Sequence, residues 1–102
     1  MPAHTPWGMS QDSDKIADGI VFYSTASHGG YKLSPARMTE FIIQFPDFRT
    51  FAGGSWFEED CDAAMVPVAF PDCFPTDQVS MARDCVRSMG RHGYERFAGL
   101  DL

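Results

Sequence analysis

No segment of the sequence approaches the roughly 18 to 20 uninterrupted apolar residues that a membrane-spanning helix needs. The longest apolar run, 63–70, has eight residues and contains Pro67. The opening Met1-Pro2-Ala3-His4-Thr5-Pro6 has neither a basic stretch nor an apolar one, so no secretory leader is expected. Cysteine is scarce: Cys61, Cys73 and Cys85 are an odd set of three with no C-x-x-C pair. A secreted disulfide domain carries an even number, so reduced thiols in a bacterial cytoplasm are expected. Structural zinc sites present closely spaced ligand pairs. These cysteines are spaced twelve apart, which argues against a zinc site combining them with His28 or His92. There is no P-loop, no G-x-G-x-x-G and no G-x-S-x-G. No metal and no cofactor are expected.

Basic residues are also unevenly missing. Between Thr50 and Ala82 there is no Lys or Arg, while Glu58, Glu59, Asp60, Asp62, Asp72 and Asp77 all fall there. The rest of the chain holds equal numbers of acids and bases, so this stretch carries the whole net charge of −6. A protein that grips nucleic acid directly shows a basic footprint, and this one does not. An acidic stretch suits a basic protein surface as partner, or simply a solvated face that keeps the domain soluble, which is the more frequent case.

Bulky core material is plentiful, with nine Phe, three Tyr and two Trp in 102 residues. A chain of this length buries roughly two-thirds of the surface its unfolded form exposes. One α+β domain over 1–102 is expected: a three-stranded antiparallel meander followed by three packed helices. Asp18-Gly19 is a type I′ hairpin signal, because that turn needs positive φ at both central positions. Ser13–Ala17 enters it and Ile20–Thr25 leaves, rich in β-branched and aromatic residues. His28-Gly29-Gly30 turns the chain into Tyr31–Leu33, and Thr5–Gly8 suggests an edge strand that tolerates Pro6.

Ser34 as cap and Pro35 at the first helical position open the first helix. Met38, Phe41, Ile42 and Phe45 form its buried stripe. Ser55-Trp56-Phe57-Glu58 reads as a capping box for the second helix, with Phe57, Cys61, Ala64 and Val68 on one face and Pro67 shortening it. Thr76 caps the third, whose stripe is Val79, Ala82, Val86 and Met89. Gly90 or Gly93 stops it, and Arg83, Arg87 and Arg91 line an exposed face.

Two residues invite a catalytic reading. His28 beside two glycines is a candidate general base at a turn, or a solvent-exposed loop whose glycines supply positive φ. Cys61, near the start of the second helix, is a candidate nucleophile. The carboxylates around it oppose thiolate formation, and its place on an apolar stripe fits a structural role. Glu58, Glu59, Asp60 and Asp62 could take a divalent cation, yet no calcium-type loop spacing is present, and a solvated helix start explains the cluster without one.

Three segments carry a resemblance. His4-Thr5-Pro6-Trp7-Gly8, then Gly19-Ile20 through Ser24-Thr25-Ala26-Ser27-His28-Gly29-Gly30 and Leu33-Ser34, then Trp56–Asp62, resemble an uncharacterised small-domain family of bacterial plasmids, phages and integrative elements. That resemblance implies a mobile-element context and assigns no catalytic residue. Small acidic proteins of such elements are similar in general character to inhibitors of host defence, anti-CRISPR proteins among them. The expected function is therefore a binding protein whose acids, Glu58, Glu59, Asp60, Asp62, Asp72 and Asp77, occupy a basic nucleic-acid-binding surface, such as that of a CRISPR-Cas effector subunit. The alternatives are a small hydrolase or transferase using Cys61 and His28, and an interaction domain with no inhibitory role.

Overall fold

A computed structural model describes residues 3–60, 62–92 and 97–100. The chain forms β1 (His4–Thr5), β2 (Gly8–Met9), β3 (Asp12–Ala17), β4 (Ile20–Ser24), β5 (Gly29–Leu33) and α1 (Pro35–Gln44). It continues through β6 (Trp56–Glu58), a 3-10 turn at Asp62–Ala64, α2 (Met65–Ala69), a second 3-10 turn at Pro71–Cys73, and α3 (Thr76–Arg91). The α+β class and the number of helices among the described residues match expectation, although the second helix is not the one expected. The meander does not stop at three strands: β3-β4-β5-β6 form one four-stranded antiparallel sheet, and β1-β2 a separate two-stranded one.

The fourth strand is the main correction. Ser55-Trp56-Phe57-Glu58 has the spelling of a capping box, but Trp56–Glu58 is extended and pairs with β5. Alternation decides this: Phe57 faces the core and is fully buried, while Trp56 and Glu58 point to the other face. No helix spans the expected stripe, and Cys61 lies outside the described residues. Thr5–Gly8 also differs. Thr5 pairs with Gly8 across a tight turn of Pro6 and Trp7, separate from the main sheet. Thr5 Oγ1 holds the turn by accepting from the Trp7 N–H at 3.1 Å and donating to the Gly8 carbonyl at 2.7 Å.

The Asp18-Gly19 turn is where expected, but it is not type I′. Gly19 alone has positive φ, +82°. The register steps from Lys15 opposite Val21 to Ala17 opposite Ile20, leaving Ile16 bulged. Beyond β5, Ser34 caps α1 by accepting from the Arg37 N–H at 3.2 Å, with Pro35 first in the helix. Phe41 is buried, and Met38 and Phe45 pack at the core margin, whereas Ile42 is 50% exposed and leaves the expected stripe.

α2 has five residues, with Pro67 third. The missing N–H falls among the helix-start donors that have no intrahelical acceptor, so the proline costs the short helix little. Thr76 is the first residue of α3 and not its cap: Pro75 holds that position, without a side-chain hydrogen bond. Val79, Ala82 and Val86 face inward as expected. Gly90 does not stop the helix, which runs to Arg91; its bare Cα lets the segment at Phe97 approach, since a Cβ there would sit 3.0 Å from the Phe97 carbonyl oxygen. Gly93 lies outside the described residues.

The core lies between one sheet face and the helices. Ile20, Phe22, Tyr31, Leu33 and Phe57 share that face by register. Phe41 of α1 meets Phe57 edge-on at 5.0 Å between ring centroids, and Phe74 meets Tyr31 at 5.8 Å. Among the described residues, no helix is long and apolar enough to cross a membrane.

Candidate functional site

The opposite face of the sheet leads to the candidate site. By strand alternation it carries Tyr23 of β4, Gly30 and Lys32 of β5, and Trp56 and Glu58 of β6. Trp7, at the apex of the β1–β2 turn, packs on this face. Its ring lies edge-on to Trp56 at 5.7 Å, and Trp56 in turn contacts Tyr23 at 5.6 Å. Lys32 Nζ sits 4.8 Å from the centre of the Trp56 ring and donates to Ser55 Oγ at 2.6 Å.

At the end of this face the chain turns from β4 into β5. Thr25 organises the turn: its Oγ1 accepts from the His28 N–H at 3.0 Å and donates to the His28 carbonyl at 2.6 Å, and its own N–H donates to that carbonyl at 2.8 Å. Gly29 and Gly30 follow as buried strand residues without positive φ. The expectation that they supply unusual backbone angles is thus corrected; they are small because neighbours occupy the space. A Cβ on Gly29 would stand 2.8 Å from the Tyr23 carbonyl oxygen. A Cβ on Gly30 would run into the Phe57 carbonyl and the Trp7 ring.

Pairing of β5 with β6 then delivers the acids. Gly30 lies opposite Glu58, and the Glu59 N–H donates to the Gly29 carbonyl at 2.9 Å. His28 Nδ1 consequently lies 3.6 Å from Glu58 Oε1 and 3.8 Å from Asp60 Oδ2. One donor atom each of His28, Glu59 and Asp60 falls within 4.8 Å of the others. Glu59 and Asp60 are exposed, whereas the Glu58 side chain is only 12% exposed.

The six acids of the Thr50–Ala82 stretch are not one surface. Glu58, Glu59 and Asp60 gather at the His28 turn. Asp62 is fully buried, and its carboxylate accepts from the Phe51 N–H at 2.6 Å, so it is structural and unavailable to a partner. Asp72 is exposed next to Cys73, whose sulfur Arg37 approaches at 3.8 Å while also donating to the Asp18 carbonyl. That places Asp72 toward the Asp18-Gly19 end of β4, across the sheet from His28. Asp77 is exposed in the first turn of α3. The postulated pairing of His28 with Cys61 falls on a residue outside the described set.

Sequence reasoning named His28 and the acids separately and did not join them. Trp7, Tyr23 and Trp56 were absent from the candidate site altogether. The signal that could have found them was the recurrence of tryptophan in the first and last of the three segments that carried the resemblance. All three segments meet on this face.

These features define a small α+β domain with an aromatic outer sheet face and a histidine-containing acidic edge. The chain belongs to the family described as Domain of unknown function (DUF7007), whose model matches residues 1–102. No curated protein and no solved structure matches it.

Proposed function

We propose that this domain is a binding protein that presents the edge formed by Glu58, Glu59 and Asp60 to a basic surface of a partner protein. The observation that carries the reading is the gathering of these three acids at one end of the sheet, where, among the described residues, no Lys or Arg pairs with them. Charges placed this way speed encounter with a cationic surface and disfavour anionic ones. The finer reading is that the partner is a host-defence complex of the anti-CRISPR target type, and that the domain, carried by a mobile element, inhibits it by occupying its nucleic-acid-binding groove. What supports it is the acidic charge together with the resemblance set out above.

The test is affinity capture from a bacterial lysate with the immobilised domain, followed by addition of the complex's own nucleic acid. A captured protein that nucleic acid displaces supports groove occupancy. Capture that nucleic acid leaves intact would reduce the reading to an interaction domain without inhibitory role.

A further inference from the structure

We infer that the outer sheet face docks arginine side chains of a partner protein, which lie against the ring of Trp7 while Glu58 takes their charge. The inference rests on the binding reading above and adds to it the residue type that is recognised. Strand register sets the geometry. Tyr23 lies opposite Gly30 and Gly30 opposite Glu58, so these three residues form one cross-strand row on the outer face. The far edge of the Trp7 ring, at Cη2, stands on Gly30 in the middle of that row. Neighbouring strands are about 4.8 Å apart, which puts Glu58 one strand away from the foot of the ring. The helices pack against the other face of the sheet, and Trp7 and Tyr23 are only half-buried.

Charge decides what this face accepts. Its Tyr23–Gly30–Glu58 row ends on a carboxylate, and Glu59 and Asp60 follow along the chain. The next row is basic: Lys15 and Lys32 flank Val21. Lys15 is paired with Asp18 at 2.8 Å, while Lys32 is held by Ser55 and lies over the Trp56 ring. An incoming cation is therefore repelled from the lysine row and drawn to the row that Trp7 stands on. Lys32 on Trp56 is already a cation seated against an indole of this face; among the described residues no cation lies over Trp7, the second indole. Arginine suits that position better than lysine. A guanidinium is planar and weakly hydrated, so it can lie flat on a ring and still present its N–H edge to a carboxylate. The lysine ammonium is compact and strongly hydrated, and it gives up water to do either.

The test is titration of the full chain with a short synthetic peptide of alternating arginine and glycine, and with its lysine counterpart, at about 50 mM salt. Trp7 and Trp56 are the two tryptophans of the chain, so tryptophan emission reports from the face itself. The arginine peptide should shift that emission saturably and bind about three- to tenfold more tightly than the lysine peptide. Trp7→Leu keeps an apolar plug over Gly30 and leaves Trp56 as the reporter. It should cut arginine binding about threefold or more and leave lysine binding within about twofold. Three results would overturn the inference: equal affinity for the two peptides, no saturable binding of the arginine peptide up to about 1 mM, or an arginine preference intact in Trp7→Leu. The comparison of peptides uses the parent chain, so it decides even where Trp7→Leu fails to fold. Equal binding that Glu59→Gln with Asp60→Asn weakens would keep the acidic edge and remove the arginine recognition. An arginine preference that depends on Trp7 but is indifferent to that double substitution would support this inference and remove Glu59 and Asp60 from the binding edge.

Discussion

The ring of Trp7 occupies the space where a side chain on Gly30 would have to go. Trp7 tops the β1–β2 turn and Gly30 lies in the main sheet, and this contact docks the N-terminal hairpin onto the outer face of that sheet. Gly30→Ala should therefore destabilise the fold by about 1–3 kcal/mol, the usual range for overpacking. Trp7→Ala in the same chain should recover only part of that loss, because the Phe57 carbonyl, a backbone group that cannot rotate away, still crowds the new methyl. A double-mutant cycle by urea denaturation measures the coupling. Strictly additive costs would show that Trp7 and Gly30 do not share this space.

Asp62 separates a structural acid from its exposed neighbours. Its carboxylate is fully buried and accepts from the Phe51 backbone. Asp62→Ala should cost about 1.5–3 kcal/mol, since the Phe51 N–H loses its carboxylate acceptor and the buried site loses the side chain that fills it. Asp60→Asn, on the surface, should stay within about 0.5 kcal/mol. Equal denaturation midpoints for the two variants would remove the structural assignment of Asp62.

What could be read along the chain was what short-range chemistry decides. Ser34 and Pro35 begin α1 because cap and fixed φ act within one turn, and Val79, Ala82 and Val86 mark the inner face of α3 by spacing alone. Trp56–Glu58 escaped because its local spelling, a serine followed three residues later by glutamate, competes with a pairing to β5 that no local pattern encodes. The candidate site was opaque for the same reason: His28 and Glu58 meet only through that register. Gly29 and Gly30 were visible as glycines, but the reason for them, crowding by Tyr23, Phe57 and Trp7, lies in residues distant along the chain.

Tyr31 gives a pH prediction. Burial pushes its phenol up from the usual value near 10, a hydrogen bond with Gln78 acts in the opposite direction, and the charge of Asp14 adds to the rise. The folded state thus holds the phenolic proton to higher pH than the unfolded chain does. The stability from this group is full below the unfolded pKa and is lost as pH rises through the folded one. Tyr31→Phe should flatten the decline in thermal midpoint above about pH 10 relative to the parent chain. Parallel curves across that window would show that Tyr31 does not contribute to alkaline unfolding.

Asp72 and Asp77 lie on other elements than the acids of the His28 edge, which makes the binding reading testable by location and not only by charge. Glu59→Gln with Asp60→Asn removes two charges at the His28 edge, and Asp72→Asn with Asp77→Asn removes two elsewhere; all four positions are exposed. The net charge changes equally in both variants, so a partner drawn only by overall charge responds equally to each. A partner seated on the His28 edge should lose affinity several-fold with the first pair and little with the second, mainly through a slower association rate. Raising salt from about 50 to 300 mM shortens the screening length from roughly 14 to 6 Å, and it should weaken the parent complex more than the first variant's. Glu58 is left intact, because its partly buried carboxylate beside His28 would mix stability with binding. Surface plasmon resonance with the captured partner reads both rates. If the Asp72 and Asp77 pair proves the more damaging, the binding surface lies away from the edge that His28 and Glu58 build.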